Sequence, residues 1–168
     1  MNLHLEMASA KHQPGLLDLL AYLMQVPEHQ EKTKEDQAVM LKVWLDWLQD
    51  LDQSPSSQEV EPLYYVAVNQ DQDLIGLVII RRQLADPISD VRGHIGYVLH
   101  PRYRGQGLAN QLLIQAIGQA RILGMSELIL TADSTNTASN QVIINQGGSW
   151  FESRIDPESG HYIHYYRI

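Results

Sequence analysis

Chemistry-bearing side chains crowd the stretch Gly93-His94-Ile95-Gly96-Tyr97-Val98-Leu99-His100-Pro101-Arg102-Tyr103-Arg104-Gly105-Gln106-Gly107-Leu108-Ala109. His94 and Tyr97 can exchange protons, Arg102 and Arg104 carry positive charge, and Gly105 and Gly107 expose main chain. A glycine-rich turn that opens a helix aims backbone N–H groups and the positive helix end at one point. That arrangement suits an anion, most often phosphate. A side chain at Gly105 or Gly107 would hold the anion off the backbone, and an arginine fork can grip phosphate through two bonds. A Gly-x-Gly turn between strand and helix can also be just a tight connection. The β-rich run before it, the two arginines and the apolar helical pattern after it favour the binding reading. No third glycine follows at the dinucleotide spacing, and no Gly-Lys-Ser/Thr follows for a nucleotide P-loop.

The elements that must position these residues follow from periodicity. Residues 94–99 read as a strand. Leu108, Leu112, Leu113, Ala116, Ile117 and Ala120 recur at helical spacing, predicting a helix over 105–123 closed by Gly124. Residues 127–132 form the next strand, and strand–helix–strand implies a parallel pair with a right-handed crossover. Asn136 is placed to cap a further helix.

Upstream, Leu3, Leu5 and Met7 alternate with polar residues as a short strand. Pro14 suits a first helical turn, and Leu16, Leu17, Leu19, Leu20 and Leu23 continue a helix that ends near Pro27. A second helix is predicted from about Thr33, its N-cap, to Leu51. Residues 63–68 and 74–80 form an antiparallel hairpin, and residues 149–155 pair with 162–168 across the turn at 156–160.

The run Arg104-Gly105-Gln106-Gly107-Leu108-Ala109 resembles the Arg/Gln-x-x-Gly-x-Gly/Ala signature of the GNAT acetyltransferase superfamily. Arg102 to Gly107 fits the same pattern two residues earlier; the Arg104 register is preferred because it leaves Pro101 at the strand end. Glu127 to Ala132, then Asn136-Thr137-Ala138-Ser139 and Gln146-Gly147-Gly148, resemble the fifth strand and following helix of that superfamily. The resemblance covers residues 93–148. It implies an α/β fold with a mixed central sheet of about seven strands, about four helices, and a splayed central parallel pair. It implies one acyl-CoA N-acetyltransferase-like domain over residues 1–168. Acetyl-CoA would be the co-substrate, its pantetheine arm between the splayed strands along the backbone of Tyr97, Val98 and Leu99. Arg104, Gly105, Gln106, Gly107, Leu108 and Ala109 would hold its pyrophosphate, and Asn136 would hydrogen-bond the arm.

The implied reaction is direct transfer of an acetyl group to an amine of a small molecule or protein. Strand N–H groups would polarise the thioester carbonyl, and no metal is required. Many relatives carry an acid tyrosine seven residues after the position of Asn136; this chain has Ile143. Some carry a base glutamate near the start of the fourth strand; here Gly93 and His94 stand there. His94 is the best candidate for the base, since an unperturbed imidazole (pKa ~6.5) suits proton transfer near neutrality, although the residue alone reads more readily as a strand histidine with a structural hydrogen bond. Tyr97 is the candidate acid, although an aromatic on a central strand reads more often as core. His161, Tyr162 and His164 of the last hairpin are further candidates to reach the acceptor site, and nothing in the sequence fixes their side. His161 and His164, three apart on a strand, would face opposite sides. A CoA-binding sensor or interaction module without transferase activity is the alternative.

Composition narrows the remaining classes. The chain has 168 residues, no cysteine and a formal charge of −8. Disulfide and thiolate chemistry are excluded. Without a basic stripe, nucleic-acid binding is not expected. No apolar run approaches the roughly 20 residues of a membrane span, and the start is not that of a secretory signal, so a cytoplasmic protein is expected. Residues 28–52 hold seven acidic and three lysine side chains, half of the net charge. They would either border the acceptor site and attract an amine or form a solvated helix face. A homodimer is compatible with all of this.

Overall fold

The computed structural model describes residues 2–25, 42–43, 45–48, 62–84 and 91–168. In chain order its elements are β1 (His4–Met7), α1 (Gln13–Leu23), β2 (Leu63–Val68), β3 (Leu74–Ile80), β4 (Ile95–Leu99), α2 (Leu108–Ile122), β5 (Ile129–Asp133), α3 (Thr137–Asn145), β6 (Ser149–Ile155) and β7 (Tyr162–Arg167). Residues 42–43 and 45–48 are helical, inside the predicted second helix. Its Thr33 cap, Pro27 and most of the acidic segment lie outside the described residues.

Seven strands are present among the described residues, as expected, and they divide into two antiparallel sheets. One is ordered β1-β2-β3-β4 and the other β5-β7-β6. The β2–β3 hairpin forms from the two apolar runs, and it is buried on both faces, which explains why neither strand alternates with polar residues. Its turn is held by Asn69, whose Oδ1 accepts from the N–H groups of Asp71 and Asp73, both at 2.9 Å.

Two apolar layers sandwich the first sheet. On one face Leu63, Tyr65, Val78, Ile80, Ile95 and Leu99 pack on Leu108, Leu112 and Leu113 of α2, and Leu130, Ala132 and Tyr166 of the second sheet join them with Val142 and Ile143 of α3. On the other face Leu16, Leu19 and Leu20 of α1, with Leu48, cover Val66, Val68 and Leu77. Pro14 stands in the first turn of α1, as predicted. Among the described residues no helix is long and apolar enough to cross a membrane.

No ladder joins β4 and β5, so the expected splay of this pair is present and its parallel pairing is not seen. They meet at one point. The His94 N–H donates to Ile129 O at 2.7 Å, and the Ile129 N–H donates to His94 Nδ1 at 2.8 Å. Gly93 makes this approach possible. Its φ is +62°, and a Cβ there would stand 2.8 Å from Ile129 O, a contact only glycine avoids.

The β3–β4 ladder shows what lies past that point. Arg81 N–H donates to His94 O and His100 N–H to Ile75 O, both at 2.8 Å. Bonded and non-bonded pairs alternate along an antiparallel ladder, so in this register Gly96 and Val98 turn their main-chain groups to β3. Ile95, Tyr97 and Leu99 therefore turn theirs away from β3, towards β5.

Candidate functional site

A cavity of about 540 Å³ opens beyond the meeting point of β4 and β5. Of the ten residues the sequence assigns to the cofactor, nine line it: Tyr97, Val98, Leu99, Arg104, Gly105, Gly107, Leu108, Ala109 and Asn136. The tenth, Gln106, points elsewhere, its Nε2 donating to Arg102 O at 3.0 Å. Val98 contributes its side chain, because its amide and carbonyl belong to the β3 ladder. The main chain of Tyr97 and Leu99, turned away from β3, runs along the wall like the edge of a sheet.

One end of the cavity is the turn before α2. Gly105 and Gly107 have φ of +71° and +74°, and a Cβ at either would meet no atom within 4 Å. These side chains are missing on the cavity side, not packed out by the protein. Gly107 is the N-cap of α2, with no side chain closing the helix end, so its first amides are left for a ligand. The helix starts three residues later than its apolar pattern suggested, because both left-handed glycines belong to the turn.

The two arginines separate. Arg104 lines the cavity and donates through Nε to Leu99 O at 3.4 Å. Arg102 lies 3.6 Å from the Asp18 carboxylate on α1, which also binds His100 Nε2 at 3.0 Å. The preferred signature register therefore puts the arginine that faces the cavity in first place.

Asn136 caps α3, its Oδ1 accepting from Ser139 N–H at 3.0 Å. Asn140, one turn on, is 9 % exposed. Its Nδ2 donates to Asp133 O and Asn136 O, each at 2.8 Å, and its Oδ1 accepts from Tyr166 Oη at 2.6 Å. It bolts β5, α3 and β7 together behind the cavity wall. Tyr22, Leu23, Ala138, Ser139 and Val142 also line the cavity, and sequence reasoning missed them. An Asn on the buried side of an apolar helix was the legible hint for Asn140; Tyr22 carried none.

The Tyr97 hydroxyl is buried without a well-formed hydrogen bond. Burial pushes its pKa up, and the nearby Ser139 hydroxyl opposes that only in part. Tyr97 keeps its proton through the neutral range and can donate it to a ligand atom. Ile143, at the position of the expected tyrosine, is 1 % exposed in the core and offers no proton.

His94 does not join this group. It borders a different cavity, with Arg82, Gln83 and residues 123–127, and its Nδ1 is spent on Ile129. The last hairpin separates its histidines as the strand period requires. His161 Nδ1 meets Asp133 Oδ2 at 2.8 Å, whereas His164 Nδ1 meets Asn140 Oδ1 at 3.3 Å on the other face. Among the described residues no group of three His, Asp or Glu could hold a metal ion.

Fold and site together define an α/β protein whose two sheets diverge around a cleft that ends at an uncapped glycine turn opening a helix. The profile of the acetyltransferase (GNAT) domain matches residues 3–149, and the chain belongs to that family. Among curated proteins none matches in sequence. Solved structures agree on the fold. Spermidine N-acetyltransferase from Vibrio cholerae, in complex with CoA and spermine, superposes with a TM-score of 0.68 at 14 % identity, covering 99 % of this chain and 94 % of that one. RimL, a ribosomal L7/L12 α-N-protein acetyltransferase solved with coenzyme A, gives 0.66 at 20 % identity over 100 % and 94 %. The yncA protein from Salmonella typhimurium, solved with acetyl-CoA, gives 0.66 at 13 % identity over 100 % and 94 %.

Proposed function

We propose that the chain transfers an acetyl group from acetyl-CoA to an amine of a small molecule or a protein. The observation that carries this reading is the continuity of unpaired main chain with the glycine turn. Tyr97 offers its N–H and C=O and Leu99 its N–H to an extended amide-bearing arm, and the cleft they line ends at Gly105 and Gly107, where a diphosphate finds amides and Arg104. The cradle is one that a Cβ would fill, so the residues present fit the ligand.

When bound, acetyl-CoA supplies an acyl group activated as a thioester. The amine nitrogen would bond to its carbonyl carbon and give up a proton to a base, and the carbon–sulfur bond would break with its electron pair on sulfur. The residues do the rest. Leu108 and Ala109 amides, the helix end and Arg104 counter the phosphate charge. Asn136 Nδ2 remains free to donate to the arm while its Oδ1 caps α3. Main-chain N–H groups of β4 polarise the carbonyl oxygen, and the Tyr97 hydroxyl donates to the departing sulfur. His94 is left out of the proton path because it borders another cavity.

Both acceptor classes occur among the similar structures, spermine in one and a ribosomal protein amino terminus in another, so the screen must include both. Calorimetry with CoA and free-thiol release from acetyl-CoA with a panel of primary amines test the proposal. Binding with amine-dependent thiol release supports it; no CoA affinity overturns it. The alternative, a CoA-binding module without turnover, is favoured by the burial of Ile143 where relatives place a proton donor. CoA binding without thiol release would select it.

A further inference from the structure

We infer that His161, aligned by Asp133, is the general base that takes the proton of the attacking amine; this rests on the transferase reading above. Asp133 is the last residue of β5, and its carboxylate is itself fixed. Oδ1 accepts from the Thr135 N–H and hydroxyl, both at 2.7 Å. Oδ2 accepts from His161 Nδ1 at 2.8 Å. Burial pushes the Asp133 carboxyl up, but the Thr135 bonds and His161 outweigh it, so it stays anionic. A carboxylate on Nδ1 sets the tautomer and leaves the lone pair on Nε2. Among the described residues Nε2 has no partner, and the side chain is 55 % exposed.

The backbone under the imidazole is equally set. His161 follows Gly160, whose φ is +72°. Its N–H donates to Ser159 Oγ at 3.3 Å, and its C=O accepts from Asp156 N–H at 2.8 Å. The dyad stands one turn from the cavity wall. Asp133 O accepts from the Asn136 N–H at 3.0 Å, and Asn136 lines the cavity.

The dyad stands on the face of β5 opposite α2 and α3. Along β5, Asp133 shares its side with Ile129 and Thr131, whereas Leu130 and Ala132 face α2 and α3. The charged groups on the elements around the imidazole are Asp133, Asp156 and Glu158 of the turn, and Arg154 on β6, which is paired with Glu152 at 2.8 Å.

In the step assigned here, the nitrogen–carbon bond forms as the amine proton passes to His161 Nε2 and then to solvent. The carbon–sulfur bond breaks, and sulfur leaves with the electron pair. His161→Asn is the decisive variant, because its amide can still donate to Asp133 but accepts no proton. With acetyl-CoA and an alkyl monoamine, a diamine and a short peptide amine as probes, kcat/KM should fall ~10²- to 10⁴-fold. The acidic limb of the pH–rate profile should vanish, with CoA affinity by calorimetry unchanged. Asp133→Asn should lower kcat about tenfold or more and keep that limb, as expected of a positioning residue. A His161→Asn variant within about threefold of the parent, or one that keeps its acidic limb, overturns the inference while the transferase reading stands. A parent protein that binds CoA but acetylates none of the probes defeats the transferase reading, and this inference with it.

Discussion

Arg104 lays its guanidinium over the ring of Tyr22, 5.2 Å from the centroid, while Nη1 donates to the Tyr22 hydroxyl at 3.0 Å. Tyr22 and Asp18 are four residues apart on α1, hence on one helix face. Between them they hold both arginines of the turn, Asp18 taking Arg102 and Tyr22 taking Arg104. The end of α1 thereby presets the charge at the mouth of the cavity. Arg104→Ala should weaken CoA binding by roughly 10- to 100-fold, the worth of a charge-assisted bond of about 1.5–3 kcal/mol. Tyr22→Ala should cost less, since an exposed cation–π contact is worth about 0.5–1 kcal/mol, and Tyr22→Phe less still. Isothermal titration with CoA ranks the three, and an unaltered Arg104→Ala affinity would remove Arg104 from the site.

Gly107 separates a binding role from a folding one. Its left-handed φ costs a non-glycine residue about 1–2 kcal/mol, and a Cβ there meets nothing within 4 Å. Gly107→Val should therefore fold, with Tm lower by several degrees at about 2–4 °C per kcal/mol in a chain of this size. CoA affinity should fall far more, by about 100-fold or beyond, since the valine occupies the place where phosphate meets amide. A folded variant that binds CoA normally would show the turn to be only a connection.

How far these relationships could be read beforehand depends on their separation along the chain. The β2–β3 hairpin and the 93–109 turn are local, and composition with period sufficed for them. The burial of α2 along Leu108, Leu112 and Leu113 was equally plain. Tyr22 meets Arg104 across 82 residues, and Asp133 meets His161 across 28. Both contacts exist only because of sheet register and helix placement, which no local pattern encodes. His94 shows the converse: a residue suited to catalysis in type and position is used to join two sheets.

Asn140 should prove one of the costlier polar residues to lose. Asn140→Ala leaves the buried Tyr166 hydroxyl without its acceptor and takes one of two donors from the Asp133 and Asn136 carbonyls. An unsatisfied buried hydroxyl costs about 1–3 kcal/mol, and a loss of about that size is expected. Thermal unfolding measures it. Asn140→Asp should also destabilise, because the carboxylate has no Nδ2 to donate to the two carbonyls.

The sheet edge at β1 carries the pH dependence of stability. Hydrogen bonds from Lys11 and then His4 hold the Glu6 carboxyl down to about 2. Its contribution is present above the ordinary value of 4.5 and is lost as pH falls towards 2. Lys11 is 57 % exposed, so the effect is small and fades with salt. His12 acts in a higher window. Burial, then the Lys11 charge, push its pKa below 6.5. The unfolded chain takes up that proton first, so stability falls as pH drops through 6.5. Melting curves across pH should show Glu6→Gln flattening the lower window and His12→Asn the upper one. Identical parent and variant curves would refute the assignment.

His94 tests the joint on which the cleft depends. Its Nδ1 accepts from the Ile129 N–H at the point where β4 and β5 diverge, so the ring works there as a neutral acceptor. His94→Ala leaves the Ile129 amide unsatisfied at a loss of about 1–3 kcal/mol, and it loosens the angle between the sheets. Tm should fall and KM for acetyl-CoA should rise. The shape of the pH–rate profile should be unchanged, because the ring takes no proton from the amine. His94→Asn, whose side-chain carbonyl can also accept, should recover part of the stability. A variant that kept its Tm but lost the acidic limb would make His94 the base after all and displace His161 from that role.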